Sequence, residues 1–293
     1  MDGLLLDNVS RNFVIISSNI HNRYKSVIRS VANFLNTPED KVLINPDVYY
    51  LSLPLIDKSG NIVRSLSNEE ILLKKYDLID KIDSNRCGTE IFIDQIRDLI
   101  QFTNISSHNN KKIIIINDAT SLNNESSAAL LKTLEEVNSN CTFILLCENE
   151  LALKDTILSR CQKIKIEFSK KQDLTNYESF FYSVHPFLEN HADKYELNRL
   201  IETTALHIDN LLNKTQDPIE IAGVWANEGN RIIIEIIHIY LIYLSHKYIN
   251  LNDKQHIKKI SNIYEKMFRY KKDLALNVNP KYLLNNISIE LAT

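Results

Sequence analysis

The sequence predicts an α/β domain with a parallel sheet, followed by domains built from helices alone. Three apolar runs, Phe13–Ile16, Ile113–Ile116 and Phe143–Leu146, have the continuous hydrophobicity of strands that are buried on both faces. Segments with helical periodicity separate these runs, and strands that alternate with helices are typical of a parallel sheet covered by helices. After Phe168 the strand pattern ends and only helical periodicity continues.

Local signals predict the first half of the α/β domain. The first strand covers Asn12–Ser18, and a polar loop, Asn19–Tyr24, leads into a helix. The apolar face of that helix carries Val27, Ile28, Val31 and Leu35. A second strand covers Val48–Leu53. The charged segment Asp57–Gly88 has weak periodicity near Ile71–Ile82 and is interpreted as an irregular insertion.

The second half of the domain completes the sheet. One helix is marked by an apolar stripe of Ile93, Ile96, Ile100 and Thr103. Asn123 or Asn124 caps a further helix over about Glu125–Glu136. Its inward face is predicted to carry Ala128, Leu131 and Leu134. A last strand, Ile164–Phe168, follows Phe143–Leu146 and closes the sheet.

The helical part is predicted to form two domains. The boundaries expected from the sequence are 1–168 for the α/β domain, 169–217 for a small helical domain and 218–293 for a helical oligomerisation domain. Ile232–Leu244 is apolar on almost all sides but is interrupted by Glu235 and His238. Because a bilayer requires roughly 18–20 apolar residues, this segment is interpreted as a buried helix of a helical domain or of a subunit interface.

Composition limits the possible functions. The 293 residues carry a net charge of −3, so no overall basic field indicates nucleic-acid binding. The four cysteines form no Cys-x-x-Cys pair, and the eight histidines show no ligand spacing, so no metal site is expected. No basic and apolar leader occupies the first residues, and a cytoplasmic location is expected.

One arginine stands in a segment with the chemistry of a phosphate contact. The segment Thr156–Cys161 follows the predicted strand Phe143–Leu146, and Arg160 within it lies between Ser159 and Cys161. A guanidinium group is planar, always charged and offers forked donors that match phosphate oxygens. Such an arginine could complete the ATP site of a neighbouring subunit, and the alternative is a surface ion pair at the end of a strand.

Several segments together resemble the AAA+ module of bacterial clamp loaders. The resemblance rests on Ala128–Glu136, Phe143–Leu145 and Thr156–Cys161, with Ile93–Arg97 upstream and Leu274–Lys281 near the C-terminal end. It implies a AAA+ domain, a small helical lid and a helical collar. In that family the arginine of the Ser-Arg-Cys segment points into the ATP site of an adjacent motor subunit. The resemblance therefore implies this role for Arg160, with Ser159 and Cys161 as its local scaffold.

The residues needed to bind ATP in the chain itself are largely missing. In the best register for a phosphate-binding loop, Asn19–Ser26, Lys25 and Ser26 fit, but both glycines are replaced and Tyr24 stands in the second glycine position. The strand Ile113–Ile116 ends in Asn117 and Asp118 instead of paired acids, so the position that should attract Mg²⁺ is neutral. The sequence predicts no bound cofactor and no ATP hydrolysis by this chain.

This combination resembles the delta-prime branch of the clamp-loader family in DNA polymerase III. It implies a stationary subunit that works beside gamma/tau-like motor subunits and a delta subunit, that meets the sliding clamp indirectly, and that meets primed DNA through the assembled complex. Two alternatives remain: an active, ATP-hydrolysing motor subunit of the same family, or an unrelated P-loop nucleotide kinase. Both would need the phosphate-binding glycines. Many members of the branch carry a four-cysteine zinc module, which this chain lacks.

Overall fold

The computed structural model describes residues 12–17, 20–108, 111–136, 140–166, 176–275 and 278–293. The chain divides into two compact units, one of residues 1–74 and 79–169 and the other of residues 75–78 and 170–293. The predicted end of the last strand, Phe168, lies outside the described residues. The further division of the helical part at residue 217 stays a prediction.

The first unit contains two sheets and five helices among the described residues. In chain order its elements are β1 (Asn12–Ile16), α1 (Ile20–Leu35), β2 (Val48–Leu51), β3 (Pro54–Ile56), β4 (Ile62–Ser65), α2 (Asn68–Lys75), β5 (Lys81–Ile82), β6 (Asn85–Cys87), α3 (Ile93–Asn104), β7 (Lys112–Ile116), α4 (Asn124–Glu136), β8 (Cys141–Cys147), α5 (Asp155–Leu158) and β9 (Gln162–Lys165). The last residue of α2 is counted with the second unit.

The main sheet has five parallel strands in the order β2–β7–β8–β1–β9. Strand β1 is central, and its Val14 lies level with Leu145 of β8 and Lys163 of β9. Because neighbouring residues of a strand point to opposite faces, Val14 and Ile16 join one core while Phe13 and Ile15 join the other. Helices cover both faces, which confirms the predicted parallel α/β layer.

The helices that cover the sheet are amphipathic. On one face, α1 buries Val27, Ile28 and Val31. On the other face, α3, α4 and α5 bury Ile96, Leu99, Leu130, Leu134, Ile157 and Leu158. The cap of α4 is Asn123, whose Oδ1 accepts a hydrogen bond from the Ser126 N–H at 2.9 Å. The prediction for Ala128 was wrong, since that residue is exposed and the buried side of the turn carries Ser126 and Ser127.

The interpretation of Asp57–Gly88 as irregular was wrong. The segment forms most of a second, antiparallel sheet in the order β4–β3–β6–β5, and α2 lies within the same segment. Helix α2 begins with a capping box: the Glu70 N–H donates to Ser67 Oγ at 3.1 Å, and the Ser67 N–H donates to Glu70 Oε2 at 2.8 Å. The strands of this second sheet have two to four residues, which is too few for a periodic pattern to reveal them in the sequence.

The second unit is helical throughout its described part. Its helices are α6 (Tyr177–Val184), α7 (Pro186–Glu189), α8 (Leu197–Leu212), α9 (Pro218–Glu228), α10 (Asn230–Asn250), α11 (Lys254–Ala275) and α12 (Pro280–Ala292). Helix α9 packs along α12, and α10 packs against α8 and α11. Helices α9 and α12 both begin with a proline at the first position. The cap before that proline is Asp217 in α9 and Asn279 in α12.

Helix α10 is the apolar helix of the sequence. By length and composition alone, Arg231–Asn250 could cross a membrane, with a mean hydropathy of 1.4, and 50% of its most apolar window is buried inside the protein. The Glu235 side chain is 12% exposed; it contacts His185 Nε2 at 3.0 Å and accepts from Lys271 Nζ at 2.5 Å. Burial acts to raise the pKa of Glu235, but the hydrogen bond from His185 and the charge of Lys271 outweigh it and hold the pKa well below its usual range.

Two glycine-to-alanine substitutions should change stability in opposite directions. A Cβ at Gly88 would lie 2.7 Å from Pro54 Cγ and 3.0 Å from the Pro54 carbonyl oxygen, whereas a Cβ at Gly223, inside α9, would meet nothing within 4 Å. We expect Gly88→Ala to lower the free energy of unfolding by about 1–3 kcal/mol through overpacking. Gly223→Ala should raise it by up to about 1 kcal/mol through helix propensity. Urea denaturation of both variants checks the pair, and equal effects would contradict the geometry.

Candidate functional site

Helix α1 begins close to the end of β1, inside the segment that the sequence predicted as a polar loop. Helix α1 begins at Ile20, three residues after Ser17. The predicted loop Asn19–Tyr24 is therefore wrong for its described part, which forms the first turns of the helix. Helical N–H groups beyond the first four bond to carbonyls one turn earlier, so those of Tyr24, Lys25 and Ser26 are already used.

The buried side chain of Arg23 lies at the carboxyl ends of the central strands. Its side chain is 1% exposed, and its Nη1 donates to the carbonyl oxygen of Ser17, directly after β1, at 2.9 Å. Burial lowers the pKa of Arg23, and the nearby carboxylates of Glu148 and Asp118 act in the opposite direction. Among the described residues, its Nε has no hydrogen-bond partner. A buried cation therefore stands where the central strands end.

Lys25 and Ser26 do not take part in this cluster. Lys25 is exposed, and Ser26 is half-buried, with its carbonyl oxygen accepting from Ser30 Oγ at 2.9 Å. Tyr24 stands edge-on to Tyr50, with ring centroids 6.2 Å apart, and burial raises its pKa to about 12. Since successive residues of a helix point in different directions, the position of Arg23 at the sheet edge directs Lys25 towards solvent.

Asn117 is locked into a network of neutral groups. It directly follows β7, is fully buried, and its Nδ2 donates to Tyr50 Oη at 3.1 Å and to Asn68 Oδ1 at 2.9 Å. Burial holds the pKa of Tyr50 well above its usual range, so the tyrosine stays a neutral phenol. The Asn117 side chain is thus held by one residue of β2 and one residue of α2, and the amide itself carries no charge.

Asp118 is engaged by its own turn. Its backbone is left-handed, with φ at 62°, and its carboxylate accepts from Thr120 Oγ1 at 2.5 Å and from Ser121 Oγ at 2.7 Å. Aspartate is one of the residues that tolerate this conformation because its short side chain bonds locally. Among the described residues, no group of three histidine, cysteine or acidic side chains is placed to hold a metal ion.

Arg160 stands in a tight turn between α5 and β9. Helix α5 has four residues and ends at Leu158, and the Arg160 N–H donates to the Ile157 carbonyl at 3.1 Å. Ile157 and Leu158 are buried in the core, which anchors the turn. The carbonyl oxygen of Arg160 accepts from Asn12 Nδ2 at 3.2 Å, so the first residue of β1 also fixes this backbone.

The Arg160 guanidinium is accessible but not free. Its side chain is 37% exposed and forms an ion pair with Glu135, to which Nε donates at 2.5 Å. Nη1 donates to the Thr156 carbonyl at 2.9 Å and to Ser159 Oγ at 3.3 Å. Arg160 therefore forms the surface ion pair that one interpretation of the sequence predicted, and its guanidinium is also partly exposed, as the other interpretation requires.

The neighbours Ser159 and Cys161 hold the turn together. Ser159 Oγ donates to the Thr156 carbonyl at 3.0 Å, the same oxygen that Arg160 contacts. Cys161 packs against the core on the α3–α5 face, and burial raises the pKa of its thiol to about 12. A thiol with that pKa is no nucleophile at neutral pH, so the geometry gives Cys161 a packing role.

The two arginines lie at opposite edges of the sheet. Asn12, which contacts the Arg160 carbonyl, is the first residue of β1, and Ser17, which contacts Arg23, follows the last. Five residues of strand span about 13–17 Å. Asp118 and Glu148 follow β7 and β8, which run parallel to β1, and so lie at the Arg23 edge. Arg160 therefore lies at the amino ends of the strands, away from the carboxyl ends that Arg23 occupies.

Sequence reasoning missed Arg23 and Glu135. Arg23 lies in a segment that was interpreted as a polar loop, and its charge gave no sign of burial. A signal was available, because Arg23 is four residues before Val27 and therefore on the apolar stripe of α1. Glu135 lies within the Ala128–Glu136 segment, but nothing in its spacing indicated contact with a residue 25 positions later.

Comparisons with known proteins find similarity over part of the chain. Residues 58–170 match the family model described as DNA polymerase III, delta subunit; this range contains Asn117, Asp118 and Arg160 but not Lys25. The chain is 37% identical over 78 residues to DNA polymerase III subunit delta' of Haemophilus influenzae, which covers 26% of this chain and 23% of that protein. It is 31% identical over 78 residues to the replication factor C small subunit of Halobacterium salinarum, covering 27% and 24%.

These alignments span about a quarter of the length of the curated relatives. A solved structure of a DNA polymerase III gamma subunit-related protein from Thermotoga maritima aligns over 98% of this chain and 95% of that chain. Its sequence identity is 16% and the TM-score is 0.46.

Arg23→Ala and Lys25→Ala should differ sharply in stability. Removal of the buried guanidinium deletes its hydrogen bond to the Ser17 carbonyl and leaves space at the strand ends, and we expect a loss of about 1.5–3 kcal/mol in the free energy of unfolding. Lys25 is exposed, so its truncation should stay within about 0.5 kcal/mol. Chemical denaturation of the two variants measures the difference. Equal stability would show that Arg23 contributes nothing at the strand ends.

Proposed function

We propose that this chain is a non-catalytic, delta-prime-like subunit of the clamp-loader family of AAA+ proteins. In this role it lends Arg160 to the ATP site of a neighbouring motor subunit during loading of the sliding clamp on primed DNA. The observation that carries the proposal is the placement of the arginines: the exposed Arg160 lies at the amino ends of the strands, and the buried Arg23 occupies their carboxyl ends.

A magnesium–nucleotide complex does not fit the residues at the carboxyl edge. Phosphate binding needs free backbone N–H groups close to the strand end, and here α1 begins so early that the N–H groups of Tyr24–Ser26 are used within the helix. The metal position carries the neutral amide of Asn117, and the Asp118 carboxylate accepts from two hydroxyls. We infer that this chain neither holds ATP productively nor hydrolyses it.

Arg160 has the properties that a trans arginine requires. Transfer of a phosphoryl group develops charge on its oxygens, and catalysis depends on positioned cations more than on covalent chemistry. An arginine supplied by a neighbour is worth about 10³ to 10⁵ in rate. The backbone of Arg160 is fixed by Asn12 and by α5, so the guanidinium is presented from a rigid turn, while its exposure leaves it accessible.

The proposed partners follow from the family. They are gamma/tau-like motor subunits and a delta subunit, with the sliding clamp met indirectly and primed DNA met through the assembled complex. We propose a cytoplasmic protein whose α10 is buried in protein, with nine apolar side chains at most 5% exposed: Ile232, Ile233, Ile234, Ile236, Ile237, Ile239, Tyr240, Leu241 and Leu244. An active motor subunit or a nucleotide kinase would need a phosphate-binding loop and paired acids, and the described residues at the strand ends favour neither.

Arg160→Ala should impair the assembly without unfolding the chain. An exposed ion pair contributes at most about 1 kcal/mol, so stability should change little. One ATP site of the reconstituted assembly should lose about 10³-fold or more in its hydrolysis rate. The total DNA-stimulated ATPase should therefore fall by the fraction that this site contributes. Arg97→Ala is the control, since Arg97 forms an exposed ion pair with Asp94 on α3. Unchanged turnover in the Arg160→Ala assembly would remove the proposed role.

The purified chain should fail to bind ATP. Titration of a fluorescent ATP analogue with Mg²⁺ should show no saturable binding in the micromolar range, because the N–H groups and the acids that a nucleotide needs are engaged. Lys25→Ala should give the same titration and should leave the ATPase of the assembly unchanged. Micromolar binding that Lys25→Ala abolishes would establish a working nucleotide site and contradict the proposal.

A further inference from the structure

Glu135 is the partner that sets the conformation of Arg160. It lies in the last turn of α4, and its Oε1 accepts from Arg160 Nε at 2.5 Å and also contacts Nη2. Helix α4 packs against α5, so both groups are carried by the same rigid side of the sheet. The carboxylate is 49% exposed and faces the same solvent as the guanidinium.

The contacts leave Arg160 with little capacity for a phosphate. A guanidinium has five N–H donors. Glu135 takes one on Nε and one on Nη2, and the two on Nη1 are directed to the Thr156 carbonyl and Ser159 Oγ. One N–H on Nη2 remains. Forked recognition of a phosphoryl group needs two parallel N–H donors, so the observed conformation cannot provide it without the loss of a present contact.

The contact with Glu135 is the one best suited to exchange. The carbonyl of Thr156 belongs to the turn that carries Arg160 and moves with it, whereas Glu135 is an exposed anion of another helix. An exposed ion pair is weak and is screened by salt. A phosphoryl group of a nucleotide carries more negative charge than one carboxylate, so it can displace Glu135 from the same edge of the guanidinium.

We propose that Glu135 is a positioning residue that holds Arg160 against its own domain until a phosphoryl group on a neighbouring subunit takes its place. The inference rests on the proposed trans role of Arg160 and adds a competing anion to it. Glu135 keeps the arginine ordered in the free chain and opposes its engagement. Its carboxylate also repels the incoming phosphate, so both effects act in the same direction.

The test is Glu135→Gln in the reconstituted assembly, with Glu136→Gln as the matched control. Glu136 is the adjacent residue and is exposed, so its substitution changes the net charge equally. At subsaturating ATP we expect Glu135→Gln to raise the ATPase by up to about fivefold, which corresponds to about 1 kcal/mol for an exposed pair. The increase should shrink at high salt and should vanish in an Arg160→Ala background. Glu136→Gln should have no effect.

A second measurement uses the free chain and needs no motor subunit. By NMR, exchange of the Arg160 Nε–H with water should be faster in Glu135→Gln than in the parent chain and unchanged in Glu136→Gln. A lower or unchanged ATPase in Glu135→Gln, or an unchanged Nε–H exchange rate, would overturn the role of Glu135. An assembly in which Arg160→Ala leaves the ATPase intact would instead overturn the proposed function, so the two failures are distinguishable.

Discussion

The polarity of the parallel sheet is the constraint on which the rest of the structure depends. Strand β1 is buried on both faces between β8 and β9, so its two ends are fixed in space and in direction. At the amino end, Asn12 bonds the carbonyls of Leu134 and Arg160 and so ties α4 to the Arg160 turn. At the carboxyl end, Ser17 accepts from Arg23. A single strand thus separates an outward cation from an inward one.

The two arginines show how burial changes the use of the same group. Burial lowers the pKa of Arg23, and the nearby carboxylates of Glu148 and Asp118 offset only part of that effect, so the group is a buried part of the internal framework. Arg160 remains in contact with water and is paired with Glu135 through an interaction weak enough to exchange. A cation that is to act on another molecule must keep this accessibility, whereas a cation that fills a site must give it up.

Long, buried elements could be predicted from the sequence, while short ones could not. The strands that contain Ile113–Ile116 and Phe143–Leu146 are recognisable because a strand covered on both faces needs no polar alternation. The strands of the small sheet have two to four residues and depend on their partners, so no periodic signal reveals them. The capping box Ser67–Glu70 was a local signal for α2 and could have been used.

By itself, the sequence determined that the chain has a parallel α/β part followed by helices, that its phosphate-binding glycines are absent and that Arg160 lies in a Ser-Arg-Cys segment. These properties are local in the chain. Only the tertiary structure decided that Arg23 occupies the strand ends, that Asn117 bonds Tyr50 and Asn68, and that Glu135 holds Arg160. Each of these contacts joins residues from different elements, and their distances depend on how helices pack on the sheet, which no pattern within one element encodes.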